Sequence, residues 1–104
     1  MTSRRSVDLP LTEGEFETMR RCRPQLLAKL DLNGLEMLAS DNGITWEQRQ
    51  HIQTVPVSER DKTGILLDVM MRRNRHSYQQ FLHWLRVSGQ AHLQALLVKG
   101  GRKM

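Results

Sequence analysis

The chain has 104 residues, 38% of them hydrophobic and 26% charged, and a formal net charge of +5. That length suits one domain with a single modest core. No apolar run approaches the roughly eighteen residues of a membrane-spanning helix, the start Met1-Thr2-Ser3-Arg4-Arg5 lacks the apolar stretch of a secretory signal, and the single cysteine, Cys22, excludes an internal disulfide.

These features suit the cytoplasm or the nucleus. The charge is uneven along the chain. Asp68 is the last acidic residue, and Arg72, Arg73, Arg75, Arg86, Lys99, Arg102 and Lys103 follow it. The first 68 residues hold nine basic groups against eleven acidic ones. A two-signed molecule of this kind can associate with another like it, or with nucleic acid through its basic end.

Residues 1–10 have no periodicity and read as a flexible lead-in. Thr12 with Glu15 forms a capping-box pattern. The helix it opens carries Phe16, Met19, Leu26, Leu27 and Leu30 near one face. Pro24 lies inside that stretch, removes a helix hydrogen bond and disfavours the α region for Arg23. The expectation is one helix kinked near Arg23, or two short ones. Leu32, Leu35 and Leu38, with Met37 and Ala39, mark a second short helix ended by Asn42-Gly43, both of which tolerate positive φ.

A third helix opens at Thr45, with Gln48 completing another capping box, and its apolar residues are few: Trp46, Ile52 and Val55. Val55-Pro56-Val57 breaks the chain. Ser58-Glu59-Arg60-Asp61 is a third cap pattern, and Ile65, Leu66, Val69 and Met70 follow as the buried face of a fourth helix. Asn74 is the expected stop. Ser77 with Gln80 reads as the cap of a fifth helix bearing Tyr78, Phe81, Leu82 and Leu85. After Ser88-Gly89, Leu93, Leu96 and Leu97 make a last helix, ended by Gly100-Gly101. The outcome is six helices and no strand. Caps in phase with the apolar stripes reinforce one another, and the short connections favour a compact, mostly antiparallel bundle.

Catalytic and metal-binding patterns find no support. Among His51, His76, His83 and His92 no pair has i, i+4 spacing, and no His-Glu-x-x-His occurs. His83 and His92 read as surface or rim residues. Cys22 lies among Arg20, Arg21 and Arg23, whose charges can lower a thiol pKa, but an inert helix cysteine is the favoured reading. Glu13, Glu15 and Glu17 suit the first turn of a helix, where carboxylates favour the macrodipole. Trp84 adjoins an apolar stripe and is expected in the core or at its rim. Trp46 is either a lid on the core or an exposed anchor, and the lid is favoured because large aromatics usually seal small cores. No cofactor or metal is expected, and an enzyme is not.

The ordered set Leu66-Leu67-Asp68, Val69-Met70, Arg73-Asn74, Tyr78, and Phe81 with Leu85 resembles the caspase recruitment domain (CARD) of the death-fold superfamily. Gly89-Gln90-Ala91-His92-Leu93 with Leu96-Leu97 is similar to the last helix of initiator-caspase CARDs. Upstream, Arg20-Arg21-Cys22-Arg23 with Leu26-Leu27, and Gly43-Ile44-Thr45 before the third helix, fit the same pattern. The likeness covers about residues 12–98. Two departures are Asn74 in place of the usual glycine and Gly64 where a basic residue often stands.

The resemblance implies an all-α, six-helix antiparallel death-fold (Greek-key) bundle with a kinked first helix over residues 11–99, and a basic tail at 100–104. It implies a non-enzymatic module that binds another CARD protein, whether caspase, adaptor or scaffold, in apoptotic or innate-immune signalling. The implied basic face is Arg20, Arg23, Arg60 and Lys62, and the implied acidic face is Glu36, Asp41 and Glu47. Both signs on one chain allow head-to-tail self-association into an oligomer or filament. No membrane partner is expected. The competing reading is a basic helical nucleic-acid-binding module, which lacks a recognition-helix signature.

Overall fold

The computed structural model describes residues 9–102, with side chains through Lys99. Six helices follow one another: α1 (Glu13–Lys29), α2 (Leu35–Ser40), α3 (Trp46–Thr54), α4 (Glu59–Arg72), α5 (Arg75–Val87) and α6 (Ala91–Arg102). No strand forms among the described residues, where pairing is limited to one isolated bridge between Pro10 and Asn74. Helix α1 packs on α4 and α6, α5 packs on α2, α4 and α6, and α3 joins α2 to α4.

Local sequence sets most helix starts. The Thr12 hydroxyl accepts from the Glu15 N–H, and Glu15 accepts the Thr12 N–H in return. Thr45 and Gln48 form the same reciprocal pair at α3, and Ser58 accepts from the Asp61 N–H at α4. Each such cap contributes about 1 kcal/mol. Helix α5 differs from the sequence expectation. Its cap is Asn74, whose side-chain oxygen accepts from the Ser77 N–H. Helix α4 already ends at Arg72. Ser77 is therefore inside the first turn and fully buried, and its hydroxyl donates to the Asn42 carbonyl. Asn74 takes φ −107°, whereas Asn42, expected to tolerate positive φ, adopts it at 67°.

Pro24 sits within one helix, α1, rather than between two. Helix α6 runs to Arg102, past the Gly100-Gly101 pair at which the sequence places its end. Glycine costs about 1 kcal/mol in a helix but does not forbid it. Of the expected lead-in, residues 1–8 lie outside the described residues. The Leu9 carbonyl accepts from the Arg75 N–H at 2.8 Å. Residues 103–104 of the tail likewise lie outside.

The core is built from Met19, Cys22 and Leu26 of α1, Leu35, Leu38 and Ala39 of α2, Ile44 ahead of α3, and Ile52 within it. Helix α4 adds Leu66, Leu67, Val69 and Met70, α5 adds Tyr78, Phe81, Trp84 and Leu85, and α6 adds Leu93 and Leu97. Full burial of such a side chain stabilises by about 1.5–3 kcal/mol. Phe16, expected on the apolar face of α1, is 42% exposed, because it lies one turn beyond the Met19–Cys22–Leu26 stripe. Val55, Ile65, Leu82 and Leu96 are half-buried around the core.

Two polar clamps cross this core. The Trp84 indole N–H donates to the Gly34 carbonyl at 3.0 Å. Gly34 holds φ 86°, a conformation that a side chain rarely adopts. Gln90, buried ahead of α6, accepts the Asp31 N–H at 2.7 Å and donates to the Asp31 carbonyl at 3.0 Å. Replacing it tests the clamp. Gln90→Leu leaves both Asp31 groups without this partner, a loss of about 1–3 kcal/mol. Thermal denaturation followed by circular dichroism should then show a midpoint lowered by at least about 4 °C. An unchanged midpoint would remove the clamp from this account.

Glu15 also receives Arg75 of α5, whose Nη2 and Nε donate to the carboxylate at 3.0–3.3 Å. Burial raises the Glu15 pKa, but the Arg75 hydrogen bonds and charge and the Thr12 N–H outweigh it, and the net shift is downward. The folded pKa is thus below the unfolded one. The stabilisation is complete above the ordinary value of 4.5 and is lost as pH falls through the folded pKa. Between 4.5 and the folded pKa the urea midpoint of the wild-type chain should fall more steeply with decreasing pH than that of Glu15→Gln. Parallel curves would argue against the linkage.

Candidate functional site

The first surface is the seam between α1 and α4. On a helix, residues four apart share a face, so Arg60, Gly64 and Asp68 form one row along α4. Gly64 is buried, and a Cβ added there would meet the Arg23 guanidinium at 3.4 Å and Leu27 at 3.7 Å. The missing side chain lets Arg23 lie across α4. Its Nη1 pairs with Asp68 at 3.1 Å, and its Nη2 points at the Gly64 carbonyl at 3.5 Å. Arg20, one turn earlier on α1, is exposed and lies 3.7 Å from Glu17 of its own helix. Arg60 is exposed and has no hydrogen-bond or ion-pair partner among the described residues.

Lys62 does not join them. Two residues past Arg60 is a turn of about 200° around the axis. Its ammonium instead donates to the Gln53 carbonyl at the end of α3, at 3.2 Å, and its side chain is only 18% exposed. Of the four basic residues named from the sequence, the structure sets Arg23 in the seam, leaves Arg20 and Arg60 exposed on the two helices that form it, and turns Lys62 toward α3. Arg23 is already neutralised by Asp68.

The second surface is the packed pair α2 and α3. Glu36 and Glu47 are exposed in the first turns of α2 and α3, and Asp41 is half-buried as the C-cap of α2. Sequence reasoning missed Arg49, which lies among them. Its Nη1 is 4.0 Å from Glu36 and donates to Gln53 Oε1 at 2.6 Å. Its guanidinium carbon lies 4.9 Å from the Trp46 ring centroid. The i, i+3 spacing of Trp46 and Arg49 was the available signal.

Trp46 itself is 52% exposed, so it is not the lid favoured from the sequence. It is the first residue of α3, and the six residues from it to the buried Ile52 turn the helix by about 600°, which sets the indole roughly 120° away from the buried face. Trp84, fully buried and stacked on Phe81 at 6.0 Å between centroids, occupies the core instead. Asp68 is the other residue missed, and its signal was the four-residue step from Gly64.

Among the described residues no group of three or more His, Cys, Asp or Glu could hold a metal ion, and no helix is long and apolar enough to cross a membrane. His51, His76, His83 and His92 are all exposed. Cys22 is buried, and burial pushes its thiol pKa up, against a smaller downward pull from Arg21. The flanking arginines therefore do not activate it as the sequence alone allows.

Six helices in this order, with α1 closed onto α4 and α6, form a death-fold bundle. The family model for the caspase recruitment domain matches residues 16–100, and the chain belongs to that family of protein-interaction modules. Comparison with curated proteins and with solved structures returned no match. The burial of Cys22 gives a direct check on the packing of α1. A disulfide reagent at neutral pH should modify the native thiol at least tenfold more slowly than the thiol of the urea-unfolded chain, and equal rates would contradict the buried placement.

Proposed function

We propose that this CARD is a recruiting element, an adaptor or a caspase prodomain, that joins a caspase or another CARD protein in apoptotic or innate-immune signalling in the cytoplasm. Complementary charge is its means of selection. The observation that carries the reading is the exposure of Arg20 on α1 and Arg60 on α4, two helices packed on each other, on a chain whose α2–α3 pair displays Glu36, Asp41 and Glu47. Exposed pairs contribute only about 0.2–1 kcal/mol each, but like charges set opposite one another cost several. Partner choice therefore responds more strongly to charge reversal than to charge removal.

The nucleic-acid reading draws on the acid-free C-terminal third. There Arg75 is paired with Glu15, and Arg73 is engaged by Ser77 and the Asn42 carbonyl. Arg72, Arg86 and Lys99 remain exposed on three different helices. That is a poor match to the concentrated stripe that tracks a phosphate backbone.

The test is Arg20→Glu/Arg60→Glu, which spares the Arg23–Asp68 contact. Binding to a recombinant initiator-caspase CARD and to a differently tagged copy of this chain should weaken at least tenfold, with helical circular dichroism unchanged. Unaltered binding by the folded double variant would sink the basic face. Tight binding of the wild-type chain to nonspecific DNA at physiological salt would favour the nucleic-acid reading.

A further inference from the structure

We propose that Trp46 is the apolar anchor by which the α2–α3 surface seats on the α1–α4 seam of a second copy of this chain. The proposal rests on the charge-complementary reading above and adds to it a residue and an occupant. Half of the Trp46 indole is in water, while the only other tryptophan is wholly buried. An exposed tryptophan contributes little to its own fold and much to an interface, where Trp and Arg dominate hot spots.

The ring is also held in place. Arg49 lies against it at 4.9 Å, and Arg49 is itself fixed by Gln53 and Glu36. A side chain already ordered loses less freedom on binding than a mobile one. Met37, 47% exposed on the adjoining helix, is a second large apolar side chain on the same helix pair.

The setting selects the occupant. Glu36, Asp41 and Glu47 belong to the same helix pair as the indole, so phosphates of nucleic acid or anionic lipid are repelled from it. An arginine-bearing surface is favoured, since a guanidinium pairs with carboxylates and stacks on an aromatic face. The chain carries such a surface at Arg20 and Arg60. The contact is therefore heterologous, one face of each copy against the other face of the next, and it can propagate.

Sedimentation and acrylamide quenching of intrinsic fluorescence test the assignment together. In dilute wild-type protein, Trp46 should be quenched and Trp84 protected, and Trp46 should become protected as concentration rises and copies associate. Trp46→Ala should keep its helical spectrum and thermal midpoint yet self-associate at least tenfold more weakly. Trp46→Ala retains the basic seam, and Arg20→Glu/Arg60→Glu retains the indole. Neither should assemble alone, and an equimolar mixture should form a heterodimer that stops there.

Self-association of Trp46→Ala at wild-type strength would overturn the anchor, and the preceding reading would survive if the arginine variant still failed to bind. Quenching of Trp46 that does not change at any concentration would overturn the second copy as occupant. A mixture that fails to pair, although each variant is defective alone, would overturn the heterologous geometry.

Discussion

Trp84 is buried, stacks on Phe81, and donates its indole N–H to the carbonyl of Gly34. Its apolar surface stabilises the core, but an orphaned N–H there would remove about 1–3 kcal/mol of that gain. The acceptor comes from the α1–α2 loop, and it is available because Gly34 adopts φ 86°. Gln90 fixes the same loop through Asp31. At the other end of α2, Ser77 and Arg73 both donate to the Asn42 carbonyl. Helix α5 and its flanking residues thus hold α2 at its start and at its end. That short helix bears Glu36 and leads into Asp41, so the position of two acidic residues on the surface depends on hydrogen bonds made in and around the core.

Sequence reasoning recovers what is local. The caps at Thr12, Thr45 and Ser58 were legible because donor, acceptor and apolar phase lie within a few residues of one another. The start of α5 was not, since Asn74 and Ser77 are both good caps and the choice is made by a long-range bond from Ser77 to Asn42. Apolar spacing identified Met19 and Leu26 as core but also included Phe16, because periodicity does not report where a neighbouring helix ends. Trp46 escaped because size argued for burial, while its angular position on α3, roughly 120° from the buried Ile52, turns it to solvent.

The candidate surface was legible as a set of charges, not as an arrangement. Arg23 reads as a free cation until Gly64 and Asp68 are seen to receive it. Lys62 looks like a neighbour of Arg60, yet the helical step turns it toward the carbonyl of Gln53. Arg49 went unread although it stands three residues after Trp46, because that spacing marks a pair only once the indole is known to be exposed.

These corrections change the energetics of any contact that uses the two surfaces. Asp68 offsets Arg23 on one, and Arg49 offsets Glu36 on the other. Two exposed pairs remain, worth together no more than about 2 kcal/mol, whereas even a millimolar complex requires about 4 kcal/mol. Charge can therefore choose the partner and speed the encounter, but it cannot hold the complex. The remainder must come from buried apolar area or from many weak contacts made at once. The exposed Trp46 and Met37 supply apolar area on the α2–α3 pair, and a head-to-tail array would supply multiplicity by using both surfaces of every copy.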